Sequence, residues 1–162
     1  MGIYMKFGDI KGDATQDGFT HWINITSFSW GPAVQRSIKT HTGRGRNREP
    51  SQPHISNITV SKEVDHASGP LYKSLCTTPK AQECTIAFVR TGEGGDNDKY
   101  LEYTLTDTLL AGVEIRGERD RAAETWHLDF TEIAIEVKQL DEHNVSQAPF
   151  RFKYNLATGK KG

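Results

Sequence analysis

The chain has 162 residues, with 20 Lys and Arg against 21 Asp and Glu and a formal net charge of −1. That balance gives no electrostatic reason to expect nucleic acid or an anionic membrane as partner. An apolar fraction of only 35% beside 15 glycines fits many short strands, each drying one face, joined by many turns.

The amino terminus reads as a strand, with Ile3, Met5 and Phe7 on one side and Tyr4 and Lys6 on the other. It has no charged segment leading into an apolar stretch of about 7–15 residues, so no secretory signal is expected. No apolar run approaches the roughly 20 residues of a membrane span. Met1-Gly2 lacks the Ser or Thr that myristoylation wants at position 6, where Lys6 stands.

The longest irregular stretch is predicted from His41 to Pro53. Arg44, Arg46 and Arg48 lie there beside two glycines. Loops of about 12 residues or more are uncommon in compact domains and are often functional. The stretch lacks the phosphate-cradling GxxxxGK[ST] pattern and has no interleaved aromatics to stack bases. Arginine enrichment at protein interfaces favours a protein contact over a solvated loop.

One helix is predicted, at about residues 65–76. Asp65 or Ser68 can cap it, Pro70 suits its first turn, and Leu71, Tyr72, Leu75 and Cys76 share a face. Thr77-Thr78-Pro79 stops it. Cys84, Ile86 and Phe88 return to period two. Gly92 to Asp98 then reads as a polar hairpin turn, because it lacks the calcium-loop spacing and its terminal Glu. Leu101, Tyr103 and Leu105 alternate next. Further on, Trp126, Leu128 and Phe130 are even-numbered, whereas Ile133, Ile135 and Val137 are odd. A bulge near Thr131-Glu132 would repair that change of phase and add curvature. Phe150 to Leu156 alternates almost perfectly, and residues 159–162 read as a frayed end after a single domain over 1–158.

No catalytic constellation emerges. His21, His41, His54, His66, His127 and His143 form no HExxH or HxH pair, and no Ser lies in a Gly-x-Ser-x-Gly elbow. Asp129, Glu132 and Glu136 lie on polar strand sides with nothing to single out a pair for acid–base work. Cys76 and Cys84, the two cysteines, read as reduced thiols and are too few for a zinc site. No cofactor and no metal are expected. Two polar rows, Glu102–Thr104–Thr106 and Arg151–Lys153–Asn155, belong either to a barrel's outside or to a wall shared by several subunits.

Taken in order, five segments make the chain resemble the haemolysin-coregulated protein (Hcp) family of bacterial type VI secretion. They are Ile3–Phe7 with Ile10–Asp13, Ile25–Gly31, Val60–Lys62 with Asp65 and Ser68–Leu71, Tyr100–Asp107, and Glu124–Val137. The resemblance implies a mainly β fold: a β-barrel of two antiparallel sheets, one short α-helix and a long extended loop over about residues 40–53. It also implies a structural tube subunit rather than an enzyme, forming homohexameric rings that stack into a hollow tube. The spike protein, the contractile sheath and small effectors would be its partners. Such a tube is assembled in the bacterial cytoplasm and exported by its own machine, without a signal peptide. Thr40, His41, Arg44, Arg46, Arg48 and Glu49 would then meet a neighbouring subunit or the next ring. The other readings are an effector-binding carrier or chaperone ring, and a secreted effector.

Overall fold

A computed structural model describes residues 2–36, 38–40, 48–50, 52–77, 80–91, 97–118, 120–138 and 148–161. Period-two alternation becomes strand wherever it was read. In chain order come β1 (Gly2–Phe7), β2 (Ile23–Ile25), β3 (Ser27–Ser29), β4 (Val34–Gln35), β5 (Ile38–Thr40), β6 (Arg48–Pro50), β7 (His54–Ile55) and β8 (Ile58–Glu63). The helix α1 (Ser68–Cys76) follows. After it come β9 (Gln82–Thr91), β10 (Asn97–Glu118), β11 (Arg121–Asp129), β12 (Glu132–Val137), β13 (Phe150–Asn155) and β14 (Lys160–Lys161).

The strands make two antiparallel sheets, β2-β1-β9-β10-β12-β13-β14 and β10-β11-β8-β3. Both contain β10, whose 22 residues are too many for one flat sheet. Leu101–Thr106 pair with β12, and Leu109–Glu118 pair with β11. Between these halves Asp107 takes φ 51°, and the register against β9 slips between Leu105 and Thr108. The companion chain turns at the same level, leaving β11 after Asp129 and entering β12 at Glu132. There the Thr131 amide donates to Thr106 O (3.1 Å), and the Thr131 hydroxyl donates to Asp107 Oδ2 (3.2 Å). The change of phase between Phe130 and Ile133 is thus a sheet corner between two separate strands and not the bulge expected at Thr131-Glu132; the register shifts lie along β10 instead.

A second corner lies at Thr26, between β2 in one sheet and β3 in the other. Its amide and hydroxyl both donate to Ser61 O, at 2.8 and 3.0 Å. Strand pairing leaves the circuit open between β2 and β3, and the chain itself completes it. Inside sit Met5, Phe7, Ile23, Ile58, Val60, Leu71, Cys84, Ile86, Leu105, Trp126, Leu128 and Ile133, all essentially inaccessible to water. They come from both sheets and from α1, as expected when inward residues alternate on each strand.

Three other features depart from the sequence reading. The stretch expected to be irregular from His41 to Pro53 contains β6, which pairs with β5 as an antiparallel arm, while β7 just beyond it pairs with β4. Tyr4, expected on a wet face, stacks on Phe19 (centroids 4.9 Å apart), and Phe19 meets Trp22 edge-on. This aromatic flap covers Ala87 and Val89, so β9 is buried on both faces there. In place of a frayed end, Lys160 and Lys161 pair with Asn155 and Tyr154 after a turn at Gly159.

Candidate functional site

The strand register brings the two predicted polar rows together on one face of the larger sheet. Glu102, Glu136 and Arg151 form one line across β10, β12 and β13. Thr104, Ala134 and Lys153 form the next, and Thr106, Glu132 and Asn155 the third. Opposite charges lie next to each other. Arg151 Nε donates to Glu136 (2.9 Å), Lys153 Nζ to Glu132 (2.7 Å) and Lys99 Nζ to Glu102 (2.6 Å). Glu132 also accepts from Asn155 Nδ2 and Thr106 Oγ1. The hydrogen bond from Lys153 holds its carboxyl below the usual range, against an opposing push from desolvation.

Ala134 is the one short side chain among long ones here, and a shallow hollow of about 280 Å³ opens around it. Glu102, Thr104, Glu136, Arg151 and Lys153 wall it. None of these groups is set as a nucleophile beside a base. What the face offers is a wetted, charge-balanced wall.

The predicted contact residues are placed in part. Thr40 and Arg48 are register partners across the β5–β6 arm, and Glu49 pairs with Lys39. His41, Arg44 and Arg46 lie outside the described residues. The other histidines stay apart. His66 Nδ1 sits 2.5 Å from Asp13 Oδ1 at the surface. The hydrogen bond that His66 donates to the Asp13 carboxylate, with the carboxylate's charge, raises the imidazole pKa. His127 Nδ1 meets Thr59 Oγ1 at 3.1 Å. Among the described residues no group of three or more His, Cys, Asp or Glu could hold a metal. Cys76 is exposed and Cys84 buried, both as free thiols. Among the described residues no helix is long and apolar enough to cross a membrane.

A buried polar cluster escaped the sequence reading. Lys62 and Glu124, 0% and 1% exposed, are register partners on β8 and β11 whose side chains point inward. Lys62 Nζ reaches Glu124 Oε2 (3.0 Å), Asp65 Oδ1 (2.7 Å), Ser68 Oγ (2.9 Å) and Glu63 O (2.9 Å). Glu124 Oε2 also accepts from Ser68 Oγ (3.0 Å) and Trp126 Nε1 (3.1 Å). Burial pushes the Glu124 carboxyl up, but the bonds from Lys62, Trp126 and Ser68 and the lysine's charge outweigh it and hold the pKa low. Asp65 Oδ1 accepts from the Ala67 amide (2.9 Å), so the cluster fixes the start of α1 to the smaller sheet. The available signal was parity. Lys62 alternates with Ile58 and Val60, and Glu124 with Trp126 and Leu128, which puts both charges on the dry side.

The family model described as "Type VI secretion system effector, Hcp" matches residues 4–137. No curated protein sequence matches significantly. A solved "type six secretion system protein" superposes at a TM-score of 0.84 with 22% identity, over 99% of each chain. Hcp1 from Salmonella typhimurium superposes at 0.76 with 22% identity, over 99% of this chain and 98% of that one. The tube-terminating cap of the anti-feeding prophage superposes at 0.58 with 15% identity, over 83% and 87%. At these identities the structures establish a shared fold, and the family model establishes descent over most of the sequence. The chain belongs to the Hcp family of type VI secretion proteins.

Proposed function

We propose that the protein is a structural subunit of the type VI secretion tube, six copies forming a ring and rings stacking into a hollow tube. The observation that carries this reading is the family match over residues 4–137 on a fold with near-complete overlap with other type VI proteins. The likeness to a phage-like tube cap points to the same kind of object. Closed rings need a head-to-tail contact and stacking needs a second, open one. The β5–β6 arm, with Thr40, Arg48 and Glu49 and the adjoining His41, Arg44 and Arg46, supplies the second. The charge-balanced face of β10, β12 and β13 faces the lumen, where small effectors pass. The protein is secreted with the tube, its partners beyond its own copies being the spike, the sheath and those effectors. Its role is architectural rather than enzymatic.

Negative-stain electron microscopy of the purified protein tests the assembly directly. Six-membered rings are expected, and a strictly monomeric species at high concentration would overturn the reading. Replacing Arg44, Arg46 and Arg48 with Glu should leave rings intact and weaken stacking. Unchanged stacking would remove the arm from the account.

A further inference from the structure

Among the described residues, the strands of the arm pair only with one another. β4 with β7 and β5 with β6 make separate two-stranded ribbons, two and three residue pairs long, and neither joins a barrel sheet. A two-stranded ribbon is marginally stable at best in water. The direction in which this one leaves the barrel therefore has to be set at its root.

At the root the chain leaves through Trp30–Ala33 and comes back at Ser56. All three polar groups of Ser56 are turned onto the outgoing limb. Its carbonyl accepts from Trp30 Nε1 (2.8 Å), its amide donates to Ala33 O (3.2 Å), and its hydroxyl donates to Pro32 O. The two limbs are thus knotted together just before β4 and β7 begin to pair.

Trp30 also fixes the knot to the barrel. Its indole meets the Tyr103 ring edge-on, with centroids 5.7 Å apart, and Tyr103 stacks on Phe28 at 5.3 Å. Phe28 belongs to β3 in the smaller sheet, and Tyr103 lies on the part of β10 that pairs with β9 and β12 in the larger one. One side chain therefore connects both limbs of the arm to both sheets.

The arm's length makes its angle matter. Thr40 lies seven residues beyond Ala33 (40 − 33), and its register partner Arg48 lies eight before Ser56 (56 − 48). At about 3.3 Å per residue they stand up to about 20 Å out. A tilt of about 15° at the root would move them by about 5 Å, more than the roughly 4 Å reach of a side-chain contact.

We propose that Trp30 and Ser56 form a clamp that sets the direction of the arm, as positioning residues for the contact its tip makes. The proposal rests on the reading above that the arm joins one ring to the next, and it adds what holds the arm at the angle such a contact needs.

Limited trypsin digestion, below the concentration at which rings stack, tests the clamp, because cleavage follows the population in which a segment has opened. Trypsin sites run along the arm from Arg36 and Lys39 to Arg48. Trp30→Phe keeps an aromatic ring beside Tyr103 and removes the Nε1 donor, and Ser56→Ala removes the hydroxyl donor. Each should speed cleavage between Arg36 and Arg48 about fivefold, the effect of one lost hydrogen bond on an opening equilibrium, while cleavage elsewhere keeps its native rate. Each should also shorten the stacks seen by electron microscopy and leave single rings intact. Arm cleavage at the native rate in both variants overturns the clamp. So does cleavage that quickens equally along the whole chain, which is the mark of an ordinary packing defect. Faster arm cleavage with unchanged stacks upholds the clamp and removes the arm from the stacking contact. If the unmodified protein forms no rings, the ring reading falls, and the digestion still decides the clamp.

Discussion

Lys62→Met isolates the buried cluster that joins α1 to the smaller sheet. Methionine keeps most of the lysine stem, so the packing loss is small, on the order of 1 kcal/mol or less. What disappears is the ammonium that donates to Glu124, Ser68 and Glu63 O and faces Asp65. Glu124 is then a carboxylate at 1% exposure facing neutral donors, Ser68, Trp126 and the Tyr72 hydroxyl. Removing one partner of a buried pair costs about 3–5 kcal/mol. With a urea m-value of about 2 kcal/mol/M, the unfolding midpoint should fall by about 2 M at pH 7. Adding Glu124→Gln should recover at least about 1 kcal/mol, because the uncompensated charge is gone. The pH dependence has a definite sign. In the native protein the Glu124 pKa is depressed, so its stabilisation is complete above the ordinary carboxylate value near 4.5 and is lost as pH falls through the lower folded value. In Lys62→Met burial prevails and the pKa rises, so protonation relieves the variant as pH falls. The stability gap between the two proteins should therefore narrow from pH 7 to pH 4. A cost below about 1 kcal/mol at pH 7, or a gap that widens in acid, would show that the lysine charge is not what holds Glu124 in place.

Three other outcomes are expected. Asp13→Asn should lower the His66 pKa toward its ordinary 6.5, read by NMR titration. In the native protein the pair's contribution is complete below that value and lost as pH rises through the raised folded pKa, and an unmoved titration would break the link. Gly12→Ala would put a Cβ 2.5 Å from Trp22 O and 2.6 Å from Ile23 Cα, both backbone atoms that cannot swing aside. The melting temperature should fall by at least about 4 °C, and an unchanged value would mean the flap carrying Phe19 and Trp22 is loosely held. Thiol titration of the native protein should find Cys76 alone, because Cys84 is buried and its thiol pKa is pushed far up. Denaturant should expose the second thiol, and two fast-reacting thiols in the native state would contradict the buried placement.

How far the sequence carries depends on how local each signal is. Alternation over Ile3–Phe7, Cys84–Phe88 and Trp126–Phe130 is a property of adjacent residues, and those strands appear where it placed them. The helix starts at Ser68, because Asp65 is occupied with Lys62 and the Ala67 amide ahead of the first turn. The polar rows at 102–106 and 151–155 were visible singly. Their meeting on one face is fixed by the register of β12 between them, which no local pattern specifies. The partial burial of Tyr4 depends on Phe19 and Trp22 folding back from a polar loop, and the pairing of β5 with β6 spans a gap in sequence without alternation. The buried Lys62–Glu124 pair went unread, although both charges obey the strand parity, because Lys and Glu are rarely fully buried.

The shared strand β10 also decides how the subunit carries load. Because β10 belongs to both sheets, and because Thr26 links β2 to β3 by a single residue, the sheets are joined by covalent backbone at two corners. Sliding one sheet over the other would have to stretch main chain as well as shear side-chain packing. A subunit pushed from one end and resisted at the other would pass the force through Asp107 and Thr131 as tension in the backbone, and the greasy interior would be spared the work of holding the halves together.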